Sequence, residues 1–199
     1  TPAAPVELAR YTLPEPGNQV VIAGDYAYIP AGDRGLHIVD ISTPDAPTQV
    51  GVYQTLGADH VVVADDYAYL STNLGLLHII DITNPSAPTA IRSYHPRWGF
   101  GTHAQVVEND RLYLTIQVGT DWTYVKIFDL SDPTVPLHIE SELPLDVMEI
   151  RAYGLDLAAK DDKVYIPTGG LRMIDVSDPG RPLETGFYIQ KFHSEAMII

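Results

Sequence analysis

Three histidines and a glutamate are the side chains of this chain best suited to hold a transition metal. They stand at or near the predicted starts of strands, and imidazole combined with carboxylate suits Zn, Cu or Fe. If those strand starts converge on an axis, the four residues predict a metal site, and with it a metal-dependent hydrolase or oxidoreductase. The alternative is that these polar side chains only face water at the open end of a central channel around that axis. No H-E-x-x-H or other local metal-binding spacing occurs, which favours the alternative. The four residues are His60, His103, Glu149 and His193.

A second group of side chains suits recognition. Aromatic residues and an arginine are concentrated in three segments, 95–103, 117–124 and 144–153, that are longer than their counterparts elsewhere in the chain. Tryptophan, tyrosine and arginine are the usual anchors of binding surfaces. These segments predict a surface for a protein or glycan partner, with the candidate contacts Arg97, Trp98, Phe100, Trp122, Tyr124 and Tyr153.

Composition excludes several other classes of function. The sequence contains no G-x-S-x-G, P-loop or G-x-G-x-x-G motif, so no catalytic residue and no cofactor are assigned. It has no cysteine, which removes thiolate chemistry and disulfides. The 12 basic and 26 acidic residues give a net charge of −14, which opposes binding to nucleic acid or anionic lipid. No apolar run approaches the roughly 18 residues of a membrane span, so direct membrane insertion is not expected.

All these candidates are positioned by a segment that occurs four times. It reads G-L-H-I-V-D-I-S-T-P-D-A-P at 35–47 and returns at 76–88, 125–136 and 171–182. Its aspartates lie 41, 48 and 46 residues apart, and self-similarity at this period is typical of repeat architectures. We interpret each aspartate as the cap of a tight turn rather than as a catalytic or metal-binding carboxylate. The four aspartates are Asp40, Asp81, Asp129 and Asp175.

Each repeat contains four predicted strands. One strand follows the proline turn, a second is apolar, a third carries a tyrosine after an acidic turn, and the fourth is the repeated segment itself. Four short strands per repeat are typical of a β-propeller blade. The repeated strand is apolar on both faces, which indicates burial on both sides. We therefore predict an all-β propeller of four-stranded antiparallel blades with almost no helix.

The order of the strands predicts a single propeller domain over 1–199 that begins and ends within a blade. Four complete blades are expected, together with a partial one made of an outer strand at Val6–Thr12 and an inner strand at Glu195–Ile199. We expect a fragment of a propeller with five or more blades, or a partner chain that supplies the missing strands, since bare strand edges invite aggregation.

The repeated L-H-I-V-D-I-S-x-P-x-x-P signature, together with the D-Y-A-Y-I strand at 25–29, resembles the LVIVD-repeat family of β-propellers. The resemblance covers essentially the whole chain. The third repeat departs most, with Phe128 and Leu130 in the motif and with inserted residues. What the resemblance implies is a prokaryotic surface or exported propeller.

The three long segments are predicted to be loops, and all three are expected at one end of the propeller. The leading hypothesis is a non-enzymatic extracellular or cell-surface module that presents this aromatic face to a protein or glycan, or that associates with copies of itself or with further blades. The metal-dependent enzyme described above is the alternative. Function in repeat proteins is usually carried by what is inserted into the scaffold, which favours the first hypothesis.

Overall fold

A computed structural model describes most of the chain. The described residues are 4, 6–95, 102–118, 122–135, 137–145, 156–167 and 170–188. Of residues 102, 103, 117, 118, 122, 123 and 137–145 only the backbone is described.

Sixteen strands lie within these residues, and they form four separate four-stranded sheets. Sheet 1 contains β1 (Val21–Ala23), β2 (Tyr26–Pro30), β3 (Leu36–Asp40) and β4 (Thr48–Tyr53). Sheet 2 contains β5 (Ala58–Ala64), β6 (Tyr67–Thr72), β7 (Leu77–Asp81) and β8 (Thr89–Tyr94). Sheet 3 contains β9 (Thr102–Glu108), β10 (Arg111–Val118), β11 (Trp122–Asp129) and β12 (Leu137–Leu145). Sheet 4 contains β13 (Ala158–Lys160), β14 (Lys163–Pro167), β15 (Leu171–Asp175) and β16 (Leu183–Tyr188).

The sheets are arranged as propeller blades. In each sheet the strands pair antiparallel in chain order. The first strands of successive sheets contact one another, β1 with β5, β5 with β9 and β9 with β13. These first strands therefore line the inner side of the array, as the sequence predicts. The described residues contain no helix, and hence none that is long and apolar enough to cross a membrane.

Hydrophobic clusters fill the space between successive sheets, because each sheet is apolar on both faces. Alternate residues of a strand point to opposite faces. In sheet 2, Tyr69 and Ile79 face sheet 3, whereas Leu70 and Ile80 face sheet 1. The same division holds between sheets 3 and 4, where Tyr113 and Ile127 of sheet 3 pack against Ile166 and Ile174 of sheet 4. The repeated strand is thus buried on both sides, as expected.

Tight turns join the first two strands of each sheet. In sheet 2 the turn is Asp65-Asp66, and Asp65 has a φ of 49°. Positive φ matches the right-handed twist of two-residue hairpins, and Asp, Asn and Gly tolerate it. The corresponding turns use Gly24, Asn109-Asp110 and Asp161-Asp162, all at positive φ. The turn assignment of these acidic residues is confirmed.

Two predicted strands differ from the structure. Residues 6–12 form no strand, because an outer strand pairs with a repeated strand of its own sheet and this sequence has no such segment before residue 6. The first strand of sheet 4, predicted at 154–158, lies at Ala158–Lys160, opposite Lys163–Tyr165. The inner strand predicted at 195–199 lies outside the described residues.

Candidate functional site at the insert end

Two kinds of connection leave the sheets at the same end. Because the four strands of each sheet alternate in direction, the turn from second to third strand and the link to the next sheet emerge together. The three long segments of the sequence all belong to these connections. We call this the insert end.

Sheet 3 extends beyond sheet 2 at the insert end. The pair Thr115↔Val125 corresponds to the final pair of β6 and β7 in sheet 2, Ser71↔Leu77. Three further pairs follow in sheet 3, and at about 3.4 Å per residue they add roughly 10 Å of height. The last strand, β12, pairs with this extension as far as Leu145. We call residues 116–118, 122–124 and 143–145 the ribbon; its additional pairs are Ile116↔Tyr124, Gln117↔Thr123 and Val118↔Trp122.

The ribbon corrects the interpretation of 117–124 as a loop. The backbone there forms a hairpin in which only 119–121 lie between the paired strands. Pro144 and Leu145, also assigned to a loop, are in β12. A hairpin extension satisfies the backbone polar groups of inserted residues with ladder hydrogen bonds, which a loop of the same length leaves to water.

The structure describes only two of the six predicted recognition residues. Tyr124 lies in the ribbon, half-buried, and packs against the cluster between sheets 2 and 3. The backbone of Trp122 lies at the tip of the ribbon, opposite Val118. The remaining candidates lie outside the described residues: Arg97, Trp98, Phe100 and Tyr153. The structure therefore places two of the six on one rigid element.

Of the predicted metal ligands, His60 is described in full. Its Nδ1 lies 3.3 Å from Asp59 Oδ2, and Asp59 Oδ1 accepts a hydrogen bond of 2.7 Å from Asn18 of the preceding sheet. His60 pairs with Ser71, whereas His103 falls where the register of β9 shifts, between the partners of Thr115 and Ile116. The two histidines thus occupy different register positions.

The rest of the metal hypothesis stays a prediction. Glu149 and His193 lie outside the described residues, as does the side chain of His103. Within the part of the chain that the structure describes, no three His, Asp or Glu side chains are grouped so that they could hold a metal ion.

Polar residues on the first strands link neighbouring sheets. Gln19 Oε1 accepts a 2.8 Å hydrogen bond from the Val61 N–H, and the buried Gln105 donates one of 2.8 Å to the Tyr69 carbonyl. This linking role of the two glutamines is not predicted from the sequence, because it depends on the register between strands of neighbouring sheets. A glutamine in an otherwise apolar inner strand is nevertheless a sequence feature that could have indicated it.

The recurring aspartates are confirmed as turn caps. Asp40 Oδ1 accepts hydrogen bonds from the Ser42 hydroxyl at 2.6 Å and the Ser42 N–H at 2.8 Å, and these bonds lower the pKa of Asp40. The same arrangement recurs at Asp81, Asp129 and Asp175. In every repeat the aspartate carboxylate accepts hydrogen bonds within its own turn. The four aspartates therefore have a structural role in separate turns and do not form one catalytic group.

The recurring tyrosines are part of the packing. Tyr28, Tyr69 and Tyr113 are buried in the clusters between sheets. Burial raises the pKa of Tyr69 to about 12, so its hydroxyl stays neutral. These rings are covered by the next sheet and cannot stack on a ligand.

The family model of the LVIVD repeat matches residues 17–55, 57–95 and 153–189. These ranges contain the whole of sheets 1, 2 and 4. Sheet 3, which carries the ribbon, is not matched, in agreement with the divergence of the third repeat. No curated protein matches the chain at a significant level.

Solved structures share the fold at low sequence identity. A functionally unknown protein from Desulfotomaculum acetoxidans DSM 771 superposes with a TM-score of 0.68 at 12% identity, over 90% of this chain and 58% of its own. The computationally designed Ika4 protein gives 0.57 at 12% identity, over 94% of this chain and 100% of its own. The N-terminal domain of Nup159 gives 0.51 at 12% identity, over 86% of this chain and 50% of its own. The chain thus spans about half the length of two of these three structures.

Proposed function

Because the chain belongs to the LVIVD-repeat family of β-propellers, we propose that it is a non-enzymatic interaction module that binds a protein partner through its insert end. The observation that carries this proposal is the ribbon. The second and third strands of sheets 1, 2 and 4 are five or six residues long, whereas those of sheet 3 are eight. Among the described residues, the departure from the repeat therefore lies in the ribbon, which extends beyond an otherwise regular scaffold.

A paired ribbon suits binding better than a free loop does. Its backbone is already ordered, so little conformational entropy is lost when a partner docks. It holds Trp122 and Tyr124 on a strand, and large rigid aromatic residues are frequent anchors of interfaces. The ribbon is anchored in the scaffold, because Ile116 at its base is buried between sheets 2 and 3.

Charge and fold analogy support a protein partner. A net charge of −14 repels polyanions and attracts basic protein surfaces. Nup159, whose N-terminal domain has the same fold, occurs in an S. cerevisiae complex in which Dbp5 is bound to it. A location outside a prokaryotic cell or on its surface is part of the proposal and is supported by the family resemblance.

Two loop grafts test the role of the ribbon. In the first, residues 116–124 are replaced by residues 72–76, the equivalent connection of sheet 2, which removes the ribbon. In the control, residues 131–136 at the opposite end are replaced by residues 42–47 of the first repeat. The wild type and both grafts are immobilised and exposed to surface proteins of the source organism and to a glycan array, and circular dichroism verifies folding.

We expect at least one protein to be retained by the wild type and by the control graft but about 10-fold less by the graft without the ribbon, a loss of about 1.4 kcal/mol. Equal retention by all three chains would contradict the proposal. Binding confined to glycans would replace the protein partner by a carbohydrate.

A further inference from the structure

The first and last sheets each have an outer face with no neighbouring sheet among the described residues. On sheet 1, Val20 and Ile22 are each 58% exposed. The positions that correspond to them in sheet 2 are Val61, which is 0% exposed, and Val63, which is partly buried, and both pack against sheet 1. Sheet 1 therefore has apolar residues placed to contact a preceding sheet.

Sheet 4 lacks a neighbouring sheet on its opposite face among the described residues. Tyr165, Leu171 and Met173 are only partly buried. Their counterparts in sheet 1, Tyr28, Leu36 and Ile38, are buried against sheet 2. Tyr188 at the end of β16 is 62% exposed, whereas the corresponding Tyr53 packs against the next sheet. Sheet 4 therefore carries a tyrosine face without a following sheet.

We propose that the tyrosine face of sheet 4 in one copy of the chain docks on the outer face of sheet 1 in a second copy. The contact would continue an interface that the chain already forms three times, between sheets 1 and 2, 2 and 3, and 3 and 4. In each of these the tyrosine face of one sheet packs on the opposite face of the next. Sheet 4 offers a tyrosine face and sheet 1 offers the opposite face, so the two can pack in the same way.

Residues 6–12 occupy part of the docking position and are weakly held. They form no ladder, and Leu8 is 69% exposed, although its counterparts Val50 and Ile91 pack between sheets. Tyr11 donates a 2.8 Å hydrogen bond to Gln49, beside His37. Tyr53 of sheet 1 makes the corresponding contact with His78 of sheet 2.

The segment 6–12 thus imitates the outer strand of a preceding sheet. In the sequence repeat, Tyr188 is the counterpart of Tyr11, six residues after the proline that closes the turn. Strand β16 of a second copy can therefore replace residues 6–12 and place Tyr188 where Tyr11 now lies. Ala27 and Val39, buried in the middle of this face, would then be covered by the second copy.

Two copies supply eight sheets, within the four to eight blades usual for propellers. A head-to-tail contact closes into a ring if the rotation between copies fits, and otherwise propagates as a filament. The chain superposes on a structure of about its own length, with a TM-score of 0.57, and on 50–58% of two longer structures of this fold. We expect a closed dimer, because it is the smallest ring in which a second copy covers both end faces of each chain.

The test is the mass of the 199-residue chain in solution, by light scattering after size exclusion. The wild type should have twice the 21.9 kDa of one copy. Ile22→Glu and Tyr188→Glu each place a charge on one of the two faces and should weaken dimerisation roughly 100-fold. Leu74→Glu, a change at an exposed leucine in the turn between β6 and β7, should leave the dimer intact.

Mixing separates this contact from any other. Ile22→Glu chains retain the tyrosine face, and Tyr188→Glu chains retain the sheet 1 face, so an equimolar mixture should form a heterodimer with one intact contact. Circular dichroism verifies that both variants fold. A wild type that is monomeric at its highest soluble concentration, or a mixture that stays monomeric, would overturn the proposal. The inference does not rest on the ribbon, since mass reports nothing about partner binding there.

Discussion

His37 and His78 occupy the same place in sheets 1 and 2, three residues before the motif aspartate, but they have different partners. His78 Nδ1 lies 2.7 Å from the Ser93 hydroxyl and 3.2 Å from the Tyr53 hydroxyl, and its Nε2 lies 3.1 Å from Thr55 Oγ1. His37 Nδ1 lies 2.8 Å from Gln49 Oε1, but its buried Nε2 has no hydrogen-bond partner among the described residues. The Nδ1 of His78 has Ser93 of its own sheet as a partner, whereas its Nε2 has a partner because Thr55 follows sheet 1.

Protonation of His78 should therefore contribute to the pH dependence of stability. Burial lowers its pKa, so on acidification the unfolded chain takes up this proton first, near the ordinary value of about 6.5. The stabilisation from neutral His78 is complete above that pH and is lost as the pH falls towards the lower folded pKa. We expect the free energy of unfolding to decrease as the pH falls below about 6.5, and to decrease less in His78→Asn.

Urea titrations at a series of pH values measure this difference. Carboxylates and the other histidines contribute equally to both proteins, so only the difference between the slopes is attributed to His78. His95→Asn, at an exposed histidine, should retain the slope of the wild type. Identical slopes for the wild type and His78→Asn would show that protonation of His78 does not oppose folding.

At the scale of strands, the contact between the third and fourth strands has the same irregularity in sheets 1, 2 and 4. The register shifts within the repeated strand, between Ile38 and Val39 in sheet 1 and between Ile79 and Ile80 in sheet 2, and sheet 4 has the corresponding shift. In sheet 3 the shift lies earlier in the repeated strand, between Val125 and Ile127. Such a bulge bends the outer strand and increases its twist. In sheet 1 it brings Gly51 against the proline turn of sheet 2.

Gly51→Ala should therefore destabilise the chain by about 1–3 kcal/mol. A methyl group at Gly51 would overlap the carbonyl oxygen of Pro85, which is backbone and cannot rotate away. Gly180→Ala is the matched control, because its methyl group would meet only the Asp178 side chain, at 3.4 Å, and should change stability by less than about 0.5 kcal/mol. Thermal and urea unfolding measure both. Equal stability of the two variants would mean that sheets 1 and 2 can separate here at no cost.

Strands that repeat were predictable and elements that do not repeat were not. The strands with Tyr69 and with Ile79 could be placed because the same pattern returns in each unit. The sequence does not predict the ribbon, because 117–124 has no counterpart in the other repeats with which to compare it. Residues 6–12 have the composition of a strand but lack a neighbour to pair with.

The candidate site was predictable only in its location. That the inserted segments share one end follows from strand order alone. The contact between Asn18 and Asp59 depends on the register between two sheets, which no local pattern encodes. Strands β5 and β9 have the same one-residue register shift, and His60 and His103 differ because the residue at the shift is Asp59 in β5 and His103 in β9.

At the scale of the molecule, stability depends on how many faces of a sheet are covered. Sheets 2 and 3 are covered on both faces, whereas sheets 1 and 4 have a neighbouring sheet on one face only within the part of the chain that the structure describes. When each unit contacts only its neighbours, stability is approximately a sum of units and interfaces. The same substitution should therefore have different effects at equivalent positions of different sheets.

The position shared by Ile79 and Met173 gives the most direct comparison. Ile79 is fully buried between sheets 2 and 3, and its replacement by alanine leaves a cavity, at a cost of about 2–5 kcal/mol. Met173 lies on the free face of sheet 4 and is only partly buried, so Met173→Ala in the monomeric chain should cost less than about 1.5 kcal/mol. Urea unfolding of both variants, each in the Ile22→Glu background so that the chain is monomeric, measures the difference. Equal losses of stability would show that the tyrosine face of sheet 4 is already covered within a single copy. That face could then not dock on sheet 1 of a second copy, as the proposed dimer requires.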